Sequence, residues 1–69
     1  MPLTMAKPGQ QNFIRRVGGQ TQTRQFLENL GFVAGGAVTV VSALGGSLIV
    51  NVKDCRVAIS REMALKILV

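Results

Sequence analysis

The sequence contains no histidine, no tryptophan and no tyrosine, and a single cysteine, Cys55. Each absence removes a class of chemistry. With no His and one thiol, a Cys/His zinc or transition-metal set cannot assemble within one subunit, so no metal and no cofactor are expected. One thiol also makes no internal disulfide, which fits a reducing cytoplasm. Only three carboxylates are present, Glu28, Asp54 and Glu62. They lie far apart in the sequence, and nothing marks a tuned acid–base pair among them. Lys53 and Arg56 lie close enough to Cys55 to activate a thiol, but no His is available as its base. The reading is a protein that is not an enzyme and has no small-molecule substrate.

Long apolar runs are missing as well. Ala37 to Leu44 is among the longest, and it carries Thr39 and Ser42; it falls far short of a membrane span. Met1 to Lys7 has no apolar stretch of signal-peptide length. The chain is expected to be soluble and cytoplasmic, with any link to the inner face of the membrane made through a partner or through surface charge. A phosphate-binding loop is absent too. Gly31 to Gly36 has the opening spacing, but Ala37-Val38 follows where Lys and Ser or Thr are required.

What remains is aliphatic and basic. Hydrophobic residues make up 48% of the 69 positions, with only three Phe, so one small domain, residues 1–69, must build its core from Val, Ile, Leu and Ala. Lys and Arg outnumber Asp and Glu by 8 to 3, a net charge of +5. Such a field attracts nucleic acid, an anionic membrane or an acidic protein, and its sign alone does not choose among them.

The glycine pairs Gly18-Gly19, Gly35-Gly36 and Gly45-Gly46 punctuate short β-branched runs, the pattern of an all-β barrel. Leu3 to Met5 reads as a short strand or tether, and Gln11 to Val17 as a strand. Thr23 to Leu30 reads as a helix capped by Thr21 or Thr23, with Phe26, Leu27 and Leu30 on one face. Gly31 stands where a left-handed residue ends the helix, and Phe32 can fold back on the last turn. Ala37 to Ala43 is a strand with Val38 and Val40 inward. It forms a hairpin, through Gly45-Gly46, with Ser47 to Val52, where Leu48, Val50 and Val52 alternate with Ile49 and Asn51. Lys53-Asp54 turns the chain into a strand from Arg56 to Ile59. Ser60 caps a helical stretch from Arg61 to Lys66, with Glu62 in its first turn, and Ile67 to Val69 closes the sheet. The expected fold is all-β, a small, partly open SH3-like barrel of five or six strands, with one inserted helix and a C-terminal helical turn. An OB-like barrel is the alternative, although OB-folds are usually longer.

Three stretches together resemble the FeoA family. The first is Arg24-Gln25-Phe26-Leu27-Glu28-Asn29-Leu30-Gly31-Phe32-Val33-Ala34-Gly35. The second is Val38-Thr39-Val40-Val41, then Gly46, then Leu48-Ile49-Val50-Asn51-Val52. The third is Arg56 to Val69. The likeness spans nearly the whole chain. Ala34 departs from the family's usual Pro, and Ser60 from the Arg of many members. The resemblance implies an SH3-like barrel that acts in ferrous-iron uptake, as an accessory of the FeoB membrane transporter with its cytosolic GTP-hydrolysing part. Similar barrels form the C-terminal domain of metal-dependent repressors, but 69 residues with no helix-turn-helix among them argue against the repressor itself.

An SH3 groove lined by Tyr and Trp does not transfer to a chain without either, so partner contact is expected at the inserted helix and its exit. Arg24 is the candidate for pairing with an acidic patch, and Phe26, Leu30 and Phe32 are candidate apolar anchors. Arg16, Arg56 and Arg61 are further candidates that steer association by charge. Gly31, Gly35, Gly46 and Ser60 are expected to serve turns and caps. Two other readings stand beside this one. The first is a basic barrel that binds nucleic acid through Arg15, Arg16, Arg24, Arg56 and Arg61 with Phe13, Phe26 and Phe32 as stacking surfaces. The second is self-association through an exposed barrel edge.

Overall fold

A computed structural model describes the whole chain, residues 1–69. A 3-10 turn, Leu3–Met5, comes first. It is followed by β1 (Gln11–Phe13), β2 (Arg16–Val17), α1 (Thr21–Leu30), β3 (Ala37–Leu44), β4 (Ser47–Val52), β5 (Cys55–Ser60), α2 (Arg61–Ala64) and β6 (Ile67–Leu68). The strands form an antiparallel four-stranded sheet in the order β1-β3-β4-β5, and a second, two-stranded sheet of β2 and β6. The result is a partly open SH3-like barrel.

Alternation in the long hairpin sets the core. Val38 and Val40 on β3 and Leu48, Val50 and Val52 on β4 are all buried, while Thr39 and Asn51, which pair across the strands, lie on the outer face. The β3–β4 register shifts between Val40 and Ser42. Val41 is the additional residue of a β-bulge, a feature that bends the sheet. Every buried side chain is apolar, so no charge or polar group is desolvated without compensation.

Several boundaries differ from the sequence expectations, each for a physical reason. Gln11 to Val17 is not one strand. β1 pairs with β3 through Phe13, then the Ile14 N–H donates to Gly36 O at 2.8 Å and Ile14 O accepts from the Gly35 N–H at 2.7 Å. The Arg15 N–H then donates to Leu68 O at 2.7 Å, and β2 pairs with β6. The chain thus changes sheets at Ile14, which is itself buried, and makes a barrel corner. Leu3–Met5 is neither strand nor tether but a 3-10 turn, closed by Met5 N–H to Pro2 O and Ala6 N–H to Leu3 O, both at 3.0 Å.

Helix α1 starts two residues earlier than expected. Its N-cap is Gln20, with no side-chain bond, so neither Thr21 nor Thr23 caps it; both lie within the helix. Helix α2 is a single turn ending at Ala64. β5 is one residue longer at each end than expected, β3 runs on to Leu44, and β6 stops at Leu68.

Candidate functional site

The end of α1 is built around one residue. Gly31 has φ 112°, in the left-handed region that glycine enters without penalty. Its N–H donates to Glu28 O at 3.0 Å, and the Phe32 N–H donates to Leu27 O at 3.0 Å. This pair of bonds is the Schellman reversal, which satisfies the last carbonyls of a helix and turns the chain back over its own last turn. Leu27 and Phe32 both have zero exposure as a consequence. Gly31 also lacks a Cβ for a second reason. A Cβ there would stand 3.3 Å from Lys53 Cδ and 3.5 Å from Val52 Cγ2. The β4–β5 turn therefore lies against the helix end, with the alkyl stem of Lys53 covering it.

That arrangement divides the expected anchors. Phe32 is sealed in the core and has no surface to offer a partner, so its reading as an exposed anchor is corrected: the reversal at Gly31 that ends the helix also points it inward. Leu30 is half-buried and packs against the core. Phe26 is 48% exposed, so it lies at the flank of the helix rather than on the core-facing stripe with Leu27. Arg24 is exposed on the same helix.

The other expected contacts are scattered. Arg16 is exposed on β2, Arg56 on β5, and Arg61 at the start of α2. Gly35 has φ 85°, as its turn requires. At the β3–β4 turn the left-handed residue is Gly45, with φ 56°, and not Gly46; Gly46 O instead accepts from the Arg61 N–H at 2.9 Å. Ser60 caps α2 as expected, its Oγ accepting from the Met63 N–H at 3.2 Å, with Glu62 in the first turn.

Two surface features lie outside the set expected for partner contact. Phe13 is 62% exposed on the outer side of β1. The signal was available, because its neighbour Ile14 belongs to the core and alternation then turns Phe13 out. The second is an open depression of roughly 450 Å3 on the outer face of the four-stranded sheet, lined by Gln11, Ala37, Thr39, Asn51, Lys53 and Asp54. It is shallow and mostly polar, and it contains none of the expected anchors. Cys55 is exposed at the start of β5. No three His, Cys, Asp or Glu side chains are grouped so as to hold a metal ion, and no helix is long and apolar enough to cross a membrane.

The family model of the FeoA domain matches residues 1–69, the entire chain. The chain belongs to the FeoA family. Among its relatives, the Fe(2+) transport protein A of Methanocaldococcus jannaschii is 29% identical over 68 residues, covering 99% of this chain and 83% of that protein. The crystal structure of an iron uptake regulatory protein, FeoA, superposes with a TM-score of 0.89 at 25% identity, over 97% of this chain and 91% of the other. The zinc complex of Stenotrophomonas maltophilia FeoA, described as a procaryotic SH3 domain protein, superposes with a TM-score of 0.86 at 24% identity, over 99% of this chain and 87% of the other. The last likeness speaks for the fold. Membership in the FeoA family places this chain among the accessory proteins of ferrous-iron transport.

Proposed function

We propose that this FeoA protein acts by docking onto the cytosolic, GTP-hydrolysing part of a FeoB-like ferrous-iron transporter, at the cytoplasmic face of the membrane and without catalysis of its own. The observation that carries this reading is the solvent side of α1. Arg24, in the first turn, and the half-exposed Phe26 project from opposite flanks of α1, on either side of the buried Leu27. Arg and aromatic side chains are enriched at protein–protein contacts, and the buried Leu27 and Phe32 hold the helix that carries both in one position, which lowers the ordering cost of binding. The net charge of +5 favours approach to an acidic surface.

The test is a calorimetric titration of the chain against that cytosolic part, with and without guanine nucleotide, at two salt concentrations. The expected result is saturable one-to-one binding that weakens with salt. No binding to the cytosolic part or to the full transporter refutes the proposal.

A further inference from the structure

The four-stranded sheet ends on β5, and the second edge of β5 is unpaired. Which of its backbone groups are free follows from the turn before it. Lys53 and Asp54 have φ 49° and 62°, the two-residue hairpin in which both central residues are left-handed. The residues flanking such a turn form a mutually hydrogen-bonded pair. Val52 and Cys55 are therefore bonded to each other, as are Val50 with Val57 and Leu48 with Ile59, given the observed register. The Arg61 N–H bond to Gly46 O continues the same phase. The N–H and C=O of Arg56 and Ala58 consequently point away from β4, and no backbone group of any other element bonds to them.

The surroundings suit one kind of occupant. Two N–H and C=O pairs at strand spacing are matched only by another extended backbone. Ala58 is exposed and presents only a methyl, so it does not obstruct an added strand, and Val57 is half-buried with apolar surface left to cover. The exposed Arg56 side chain faces outward beside its free rung. A second copy of this chain would bring another net charge of +5 to the edge, and like charge opposes that pairing. A segment with a carboxylate meets Arg56 favourably.

We propose that β5 receives an extended acidic segment of the partner as an additional strand, with an Asp or Glu opposite Arg56 and an apolar residue opposite Val57. This rests on the transporter-docking reading and names the chemistry of the contact. The edge begins at the turn that lies against the end of α1 through Lys53 and Gly31, so one partner can engage helix and edge together.

Residue-resolved amide hydrogen exchange tests it, with two probes: the transporter's cytosolic part, and a capped synthetic peptide, Thr-Glu-Val-Thr-Val-Thr, at millimolar concentration. In the free chain the Val57 and Ile59 amides should exchange slowly, and those of Arg56 and Ala58 fast. Saturation with either probe should slow Arg56 and Ala58 by at least about tenfold. Ala58→Pro removes an outward N–H without breaking a bond to β4, and should weaken the complex roughly tenfold. Arg56→Glu keeps the backbone intact and should weaken both probes while favouring the peptide with Lys in place of Glu. If the cytosolic part binds but Arg56 and Ala58 exchange as before, the edge proposal fails and the docking reading survives. If the cytosolic part does not bind, the docking reading fails, and the peptide alone decides the edge. Protection that grows with the concentration of the chain by itself assigns the edge to a second copy and overturns the acidic occupant.

Discussion

Phe26 and Phe32 flank the same helix end and have opposite surroundings. Phe26 is 48% exposed, whereas Phe32 has no exposure. The sequence offered both as apolar anchors, while also allowing Phe32 to fold back on the last turn. What separates them is the backbone between them: Phe26 precedes the reversal at Gly31 and projects from the side of α1, while Phe32 follows it and is carried into the core. Stability and recognition are thus assigned to neighbouring residues, and mutations should pull them apart.

The largest effect is expected at Phe32. Phe32→Ala removes a fully buried ring and should cost about 3–5 kcal/mol, a large share of the stability of so small a domain. Urea unfolding followed by circular dichroism measures it; a loss below about 1 kcal/mol would mean that the ring is not a core element. Next is the residue that separates the two rings. Gly31→Ala places a Cβ at a φ of 112° and 3.3 Å from Lys53 Cδ, and should destabilise by about 1–2 kcal/mol. Combining it with Lys53→Ala should recover the part due to contact but not the part due to backbone conformation.

The two helices differ in the same way at their starts. Helix α2 has a side-chain cap and α1 has none. Ser60→Ala should therefore cost about 1 kcal/mol, measured by the same unfolding curve, whereas Thr21→Ala and Thr23→Ala should not show the loss of a cap. The smallest stability effects belong to the exposed flanks of α1. Phe26→Ala and Arg24→Glu should shift stability by no more than about 0.5 kcal/mol, yet both should weaken partner binding, Arg24→Glu the more so at low salt. A Phe26→Ala protein as unstable as Phe32→Ala would erase the contrast.

The long hairpin was legible because alternation and turn chemistry agree there. Val38, Val40, Leu48, Val50 and Val52 all point inward as the pattern predicts, on the two strands that Gly45-Gly46 joins and Lys53-Asp54 ends. The FeoA-like motifs were legible for a related reason, since Leu-Gly at the end of α1 encodes a backbone conformation and not merely a composition. The corner at Ile14 was not legible. Its strand continues without a Gly or Pro, and the change of partner is imposed by the Gly35-Gly36 turn, distant in sequence. The bulge at Val41 has no local marker either. The start of α1 was misplaced because Thr21 and Thr23 are good caps in isolation, whereas the actual entry is set by the left-handed Gly19, with φ 97°. At the candidate site, exposure of Arg24 followed from its charge, but the choice between Phe26 and Phe32 needed the three-dimensional course of the chain.

One measurement bears most directly on docking through the solvent side of α1: the cross-saturation footprint, by nuclear magnetic resonance, of the transporter's cytosolic part on this chain. The account predicts saturation transfer to Arg24, Phe26 and their neighbours on the exposed flanks of the helix, with Leu27 and Phe32 silent. A saturable complex whose footprint is confined to the polar depression around Thr39 and Asn51, leaving α1 untouched, would contradict it.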